Sequence, residues 1–273
     1  MPPIDYLLVG HVTQDLTPHG PMPGGTAAYA GLTARALGAR PGLVTSFASG
    51  AALGQVGDLD LSVTPCGTST VFENTYTPTG RVQKLVSTAS HLDLGSIPLD
   101  WRSPRVVHLG PVADEVDPGI ALAQCFAGAF VGATPQGWMR TWDSSGTVRR
   151  KLWDGFERLG RAINAVVLSE EDIDRDEAVV GRLAATFEIL VVTRGSRGAR
   201  MFHRGEPVVE VAVRPRVEVD PTGAGDVFAA CFFWLVAGGT PPAKAASTAC
   251  EIAGDSVERH GLEGVPGPDR RPG

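Results

Sequence analysis

Short apolar runs in the second half of the chain alternate with segments of helical periodicity. Their length and their content of Val, Ile and Leu predict buried strands over residues 105–110, 129–133, 165–168 and 189–193. Helices are predicted between and after them, over residues 117–127, 151–159 and 176–187. This alternation is typical of an α/β fold in which a mostly parallel sheet carries helices on both faces. Ligands of such sheets bind beyond the carboxyl ends of the strands.

The first half of the chain predicts further strands around a polar loop. A buried strand over residues 6–10 leads into a loop over residues 11–23, a helix follows over residues 27–37, and a second strand over residues 41–47. Two alternating runs, residues 69–76 and 81–86, flank a Pro/Gly turn. This pattern predicts a β-hairpin.

A small-residue turn joins the last strand-like run to an apolar helix. Residues 219–228 read VDPTGAGDVF and lie between an alternating run at 209–213 and an apolar run at 229–237. If the helix begins in this turn, its first N–H groups have no intrahelical partners and form a site for an anion such as phosphate. Asp226 places a carboxylate beside that anion site. It is either a helix cap or a general base that takes a proton from an attacking hydroxyl.

The seven residues from Asp220 to Asp226, DPTGAGD, closely resemble the C-terminal signature of the ribokinase-like (PfkB-type) carbohydrate kinase family. The resemblance implies a three-layer α/β/α fold with a small β-hairpin lid. It also implies phosphorylation of a hydroxyl on a sugar, inositol or nucleoside, with ATP and Mg²⁺ as cofactors and a monovalent cation as a further candidate. Asp226 would be the base, and Gly223, Ala224 and Gly225 would complete the anion site. Residues 137–148 add a fainter resemblance to the inositol-kinase-like branch.

Several residues match the acceptor-binding positions of that family. The resemblance implies that Asp15 and the backbone at Gly24 and Gly25 bind the substrate hydroxyls. Tyr29, a further candidate, stands where many members carry Asn. Read alone, Asp15 is equally an ordinary turn residue. The hairpin residues Glu73 and Asn74 are candidates for polyol contacts or for a solvent face. Arg140, in a loop with Trp138 and Trp142, is a candidate for an anionic or aromatic-walled substrate site, the alternative being surface packing.

Other residues match the donor side of the family's site. The resemblance implies nucleotide contacts from a Thr-x-Gly-x-x-Gly turn, from the signature turn and from the last helix; these residues are Thr193, Gly195, Gly198, Thr222, Gly223, Gly225 and Cys250. The first of these turns is equally an ordinary hairpin turn. The family's Asn-x-x-Glu motif is represented here by Ser169 and Asp172. We therefore expect Asp172 to contact Mg²⁺ through water rather than directly.

Composition narrows the remaining possibilities. The chain has 273 residues and a net charge of −6, with no block of Lys and Arg, which argues against nucleic acid as its partner. No apolar run approaches the roughly 20 residues of a membrane span, and the N-terminus lacks a signal-peptide pattern. The four cysteines contain no C-x-x-C motif, and Cys125 and Cys231 are expected in the core. We expect a cytoplasmic protein, monomeric or homodimeric, with one domain over residues 1–262, a lid over residues 66–90 and a flexible tail over residues 263–273.

Two other functions compete with the kinase hypothesis. A regulatory protein that binds a sugar or nucleotide but has weak or no catalysis is suggested by Ser169 and by the short lid connections. A dinucleotide-dependent dehydrogenase is disfavoured because Phe228 stands where the third glycine of that fingerprint would be. No G-x-x-x-x-G-K-[ST] motif is present, so a P-loop ATPase is not indicated.

Overall fold

The computed structural model describes residues 3–17, 20–77 and 80–267. Their strands are β1 (Tyr6–Val9), β2 (Thr13–Thr17), β3 (Gly20–Gly24), β4 (Pro41–Phe47), β5 (Asp60–Pro65), β6 (Val71–Thr77), β7 (Gly80–Ser87), β8 (Val106–Leu109), β9 (Phe130–Ala133), β10 (Arg140–Trp142), β11 (Val148–Arg150), β12 (Ala165–Ser169), β13 (Ile189–Thr193), β14 (Ala199–His203) and β15 (Glu206–Val211). Their α-helices are α1 (Gly25–Ala36), α2 (Glu177–Thr186), α3 (Ala224–Ala237) and α4 (Pro242–Ser256).

A mostly parallel sheet forms the centre of the molecule. Within the described ranges it has nine strands in the order β15-β14-β13-β12-β9-β8-β1-β4-β5. The strands from β13 to β5 pair in parallel, and β14 and β15 extend one edge antiparallel. The predicted α/β fold class is therefore confirmed.

Each face of the sheet buries its own hydrophobic core. On one face α1, α3 and α4 pack against the strands, and α3 contributes a continuous buried run from Val227 to Phe233. The other face is covered by α2 and by irregular segments that supply Trp101, Phe126, Trp138 and Trp153. Because α3 is apolar over nearly its whole surface, it lies between α1, α4 and the sheet.

The lid is larger than the predicted hairpin. In the described part of the chain β6 and β7 form a four-stranded sheet with β2 and β3, in the order β3-β2-β6-β7. The loop predicted over residues 11–23 is therefore wrong where β2 and β3 form. The short strand Gly20–Gly24 carries two prolines and two glycines, which removed the usual strand signal from the sequence. Residues 78 and 79, in the predicted hairpin turn, lie outside the described residues.

Two predicted helices are wrong. Residues 117–127 form two short 3₁₀ turns, Pro118–Leu122 and Gln124–Phe126, and Cys125 is exposed rather than in the core. An extended Ala123 between the turns lets Ile120 and Phe126 both reach the core. Residues 151–159 are helical only as a 3₁₀ turn at Phe156–Leu159, because Gly155 adopts a left-handed conformation with φ of 71°.

The chain stays ordered beyond residue 262, where the flexible tail was expected to begin. Residues Gly261–Gly264 form a 3₁₀ turn, and Leu262 and Val265 pack against the core on the α4 face. The predicted flexible tail from residue 263 is therefore ordered at its beginning, and residues 268–273 lie outside the described residues. None of the helices in the described ranges is long and apolar enough to cross a membrane.

Candidate active site

A cleft of about 1010 Å³ runs along the carboxyl edge of the parallel sheet. It is lined by residues that follow or end the strands β9, β12 and β13, namely Thr134, Ser169 and Thr193. The lid strands β2, β6 and β7 and the N-terminal turn of α3 also contribute residues to its lining. This is the edge at which ligands of parallel α/β sheets bind.

Gly223 fixes the shape of the turn that begins α3. It is the N-cap of the helix and adopts a left-handed conformation with φ of 78°. A Cβ atom at this position would lie 2.2 Å from Cδ1 of Tyr29, so the tyrosine ring of α1 packs directly against the glycine backbone. The turn and α1 are therefore held together by a contact that only glycine allows.

Three N–H groups at the start of α3 are available to an anion. The Ala224 N–H donates to the carbonyl oxygen of Pro221 at 3.2 Å, so this predicted member of the anion site is already occupied. Among the described residues, no acceptor is found for the backbone N–H groups of Gly223, Gly225 and Asp226. Together with the helix dipole, these donors favour a phosphate at this end of the cleft.

Asp226 lies partly buried in the first turn of α3, facing the cleft. The Thr26 hydroxyl donates a hydrogen bond of 2.7 Å to its Oδ1 atom. Burial raises the pKa of Asp226 to about 6, whereas the bond from Thr26 and the charge of Arg140 oppose this rise. The N-cap position of α3 is occupied by Gly223, and Asp226 lies within the first turn of the helix rather than at its cap. A carboxylate with this pKa is ionised at neutral pH and can accept a proton.

Asp220 holds the signature turn against the 3₁₀ turn that follows α4. Its Oδ1 accepts a hydrogen bond of 3.0 Å from the Thr222 N–H, and its Oδ2 accepts one of 2.8 Å from the Gly261 N–H. Burial favours a higher pKa for Asp220, but these hydrogen bonds lower the pKa below its ordinary value. Asp220 is therefore a charged clamp, and its position two residues before Thr222 is typical of an Asx turn.

The lid side of the cleft presents polar side chains around an apolar patch. Asp15 lies there, and the Thr13 hydroxyl donates to its Oδ1 at 3.2 Å. The Gln83 amide donates to Asn74 Oδ1 at 3.0 Å, joining β7 to β6 in front of the cleft. The Arg140 guanidinium lies 5.6 Å from the ring centre of Phe72. These groups can bind hydroxyls and a ring face, which are features of a polyhydroxy ligand.

Most of the predicted acceptor-side residues lie together in the cleft, and two do not. Those that line it are Asp15, Gly25, Tyr29, Asn74 and Arg140. Glu73 is exposed and lies outside the cleft lining, because alternate residues of β6 face opposite sides of the lid. Gly24 also lies outside the lining, but a Cβ atom there would be 2.5 Å from Asp15 Oδ2. Gly24 therefore gives room to the carboxylate rather than to a ligand.

The aromatic wall expected from Trp138 and Trp142 is absent from the cleft lining among the described residues. Trp138 is buried in the core, stacks on Trp153 with ring centres 4.9 Å apart, and donates its indole N–H to the Val116 carbonyl at 2.7 Å. Met139, which lies next to Trp138 in the same loop, does line the cleft. Phe72 of β6 supplies the aromatic surface instead.

The donor-side candidates also line the cleft; they are Thr193, Gly195, Gly198, Thr222, Gly223, Gly225 and Cys250. Gly198 has a φ of 82°, and a Cβ atom there would lie 1.8 Å from the Val211 carbonyl oxygen. The turn between β13 and β14 is thus fixed against β15. Burial raises the pKa of Cys250 to about 11, so its thiol is neutral and serves as a small side chain on α4.

The carboxylates near the anion site suit a hard cation. Asp172 lines the cleft, accepts a hydrogen bond of 2.9 Å from the Ser169 N–H, and its charge raises the pKa of Asp226. No cluster of three or more metal-binding side chains is found among the described residues. Mg²⁺ commonly binds through one or two carboxylates together with water and substrate phosphates. The donor set at Asp172 fits such a cation.

Two residues of the site were missed by the sequence reasoning. Thr26 holds Asp226, and the only signal for Thr26 in the sequence was its position directly after Gly24 and Gly25 at the helix start. Thr134 follows β9 and lines the floor of the cleft. It lies in a Thr-Pro pair after a predicted strand, a position that carries polar ligand contacts in parallel sheets.

Part of the chain matches a family of known proteins. Residues 164–268 match the family model described as pfkB family carbohydrate kinase. Cytidine kinase of Thermococcus kodakarensis is 24% identical over 285 residues, covering 94% of this chain and 98% of the relative.

Solved structures share the fold over nearly the whole chain. A pyrophosphate-dependent kinase in the ribokinase family, complexed with a pyrophosphate analogue and myo-inositol, superposes with a TM-score of 0.79 at 18% identity, covering 95% of this chain and 98% of that one. Arabidopsis thaliana ribokinase, complexed with ribose and ATP, gives a TM-score of 0.74 at 17% identity, with 97% and 96% covered. The signature turn lies within the region that matches the carbohydrate kinase model, and the ribokinase-like fold extends over nearly the whole chain.

Proposed function

We propose that the protein transfers a phosphoryl group to a hydroxyl of a small polyhydroxy acceptor. The observation that carries this proposal is the position of Asp226. Its partly buried carboxylate stands at the start of α3, beside three N–H groups without acceptors in the described chain and in the same cleft as the polar lid residues. Its pKa of about 6 suits a base that is ionised at neutral pH.

The reaction needs little covalent chemistry from the protein. Asp226 takes the proton of the acceptor hydroxyl as its oxygen attacks the phosphoryl group. The N–H groups of Gly223, Gly225 and Asp226 stabilise the charge on the transferring group. Asp15 and Asn74 orient the acceptor through its hydroxyls. The positive charge of Arg140 lowers the pKa of Asp226 and so favours its ionised form. A magnesium ion near Asp172 would neutralise phosphate charge when bound.

The donor occupies the end of the cleft that is lined by α4 and by the turn between β13 and β14. ATP is supported by the small residues of α4 that line this end, such as Cys250 and Ala253, which leave room for a flat base. Pyrophosphate is a second candidate, supported by the fold shared with a pyrophosphate-dependent kinase. Both donors present the same phosphate chemistry to the turn at Gly223.

A matrix of donors and acceptors tests the proposal. ATP and pyrophosphate are each incubated with cytidine, myo-inositol and ribose in the presence of Mg²⁺, and phosphorylated product is detected by ³¹P NMR. We expect product from at least one pair and a loss of roughly 10²–10⁴-fold in kcat for Asp226→Asn. Ligand binding without product for any pair would instead support the regulatory binding protein. Asp100→Asn removes an exposed carboxylate that is not part of the cleft lining and is the matched control.

A further inference from the structure

A buried chain of three polar side chains lies beneath the cleft and has no part in the roles described above. The Tyr6 hydroxyl lies 2.9 Å from His108 Nδ1, and His108 Nε2 lies 3.0 Å from Thr134 Oγ1. Tyr6 and His108 have 0% exposure, and Thr134, with 7%, lines the cleft. The chain therefore connects the interior of the sheet with the floor of the site.

His108 is neutral in this position. The Phe233 ring stands edge-on to the imidazole with ring centres 4.9 Å apart, and burial lowers the pKa of His108 to about 3. A neutral imidazole donates through one nitrogen and accepts through the other. The single ring proton of His108 is therefore on either Nδ1 or Nε2.

The two tautomers differ in whether Tyr6 is satisfied. With the proton on Nδ1, that nitrogen would donate to Tyr6, and the Tyr6 O–H would have no acceptor among the described residues. A fully buried hydroxyl without an acceptor is strongly disfavoured. With the proton on Nε2, Tyr6 donates to Nδ1 and Nε2–H donates to Thr134 Oγ1. The geometry therefore selects the second arrangement.

This arrangement determines the role of the Thr134 hydroxyl. Because Thr134 Oγ1 accepts from His108, its own proton must go elsewhere, and no protein acceptor for it is found in the described part of the chain. A Cβ atom at Gly110 would lie 2.5 Å from Thr26 Cγ2 and 3.5 Å from Thr134 Oγ1. Thr26 and Thr134 thus both lie against Gly110. Since Thr26 binds Asp226, the donor at Thr134 lies in the neighbourhood of the base.

We propose that Thr134 is a specificity-determining residue. Its hydroxyl donates a hydrogen bond to a substrate oxygen on the carbon next to the one that carries the phosphorylated hydroxyl. This inference rests on the proposed function, from which it takes the class of ligand, a small polyhydroxy acceptor. It predicts a preference for vicinal diols, since a neighbouring hydroxyl can accept this bond. A substrate with hydrogen or an ammonium group at that carbon offers no acceptor for it. The buried Tyr6–His108 pair acts only through Thr134, as a positioning unit.

The test compares Thr134→Val, which keeps the shape and removes the hydroxyl, with Thr134→Ser, which keeps it. Dissociation constants for cytidine, myo-inositol and ribose are measured by calorimetry without a phosphate donor. We expect the tightest-binding acceptor of wild type to bind about 10-fold more weakly to Thr134→Val and within about 3-fold to Thr134→Ser. Its analogue lacking the neighbouring hydroxyl should bind wild type and Thr134→Val equally.

The tautomer is tested separately in the wild-type protein. ¹⁵N NMR of histidine-labelled protein at neutral pH should show the His108 proton on Nε2. A proton on Nδ1, or equal dissociation constants for wild type and Thr134→Val, would overturn the proposal. Failure of the proposed function would show differently, as absent phosphoryl transfer from both donors, which neither of these measurements involves.

Discussion

The Thr26 hydroxyl donates a 2.7 Å hydrogen bond to Asp226 Oδ1 across 200 residues of sequence. This bond joins the first turn of α1 to the first turn of α3. The first turn of α1 follows the lid strand β3, and the first turn of α3 carries the proposed anion site. Asp226, the proposed base, is therefore held by a contact between the two helix starts.

The raised pKa of Asp226 predicts the pH dependence of the reaction. Because the base must be ionised, kcat/KM should be constant above pH 7 and fall about tenfold per unit below an apparent pKa of about 6. The measurement is a pH profile of kcat/KM with the most active donor and acceptor. A profile that stays flat down to pH 4.5 would contradict the assignment of Asp226 as the base.

Loss of the Thr26 hydrogen bond should move this profile. The bond stabilises the ionised carboxylate and opposes the rise in the pKa of Asp226. Thr26→Val should therefore raise the apparent pKa of the kcat/KM profile by about one unit, whereas Thr26→Ser should keep the wild-type value. If the valine and serine variants gave the same profile, the hydroxyl would have no influence on the base.

The same raised pKa predicts that the base destabilises the fold. An Asp whose folded pKa exceeds its unfolded value disfavours the ionised form, so the cost grows as pH rises from about 4 to 6 and is fully present above pH 6. Asp226→Asn should unfold with a free energy about 1–3 kcal/mol higher than wild type at pH 7.5, and the difference should vanish near pH 4. Urea denaturation at both pH values measures this. A variant less stable than wild type at pH 7.5 would refute the prediction.

Alanine substitution at two glycines of the signature turn should have different effects, on stability at Gly223 and on activity at Gly225. Gly223→Ala would place a Cβ atom inside the Tyr29 ring at a positive φ, and should destabilise the fold by about 2–4 kcal/mol. Gly225→Ala has open space around its Cβ and should leave the melting temperature unchanged while obstructing the anion site. Thermal unfolding and kcat/KM separate the two effects. Full activity in Gly225→Ala would argue against phosphate binding at this turn.

The sequence reasoning predicted the parts of the protein whose signal is local. The apolar strands from β8 to β13 and the turn at Gly223 each follow from neighbouring residues, and the structure gathers their predicted ligand positions in one cleft. The contribution of β3 to the lid was not predictable, because a proline- and glycine-rich segment becomes a strand only by pairing with β2. Burial of Trp138 also depended on a distant partner, Trp153.

The assignment of Thr26 illustrates the same limit within the site. Its hydroxyl acquires a role only when α3 brings Asp226 to within 2.7 Å. The predicted ligand contacts of Asp15, Asn74 and Thr193 stay predictions, since their position in the cleft lining does not identify what they bind. Backbone N–H groups at Gly223 and Gly225 are better determined, because helix geometry alone leaves them without acceptors.

The most direct test of the central claim is a single-turnover measurement of phosphoryl transfer in Asp226→Asn, with enzyme in excess over the donor, at a concentration that binds all of the donor, and with saturating acceptor. Because binding is complete under these conditions, the rate reports the chemical step alone. We predict a rate reduced roughly 10²–10⁴-fold relative to wild type, with the Asp100→Asn control unchanged. A rate for Asp226→Asn within threefold of wild type would show that the proton is taken by another group and would contradict the account.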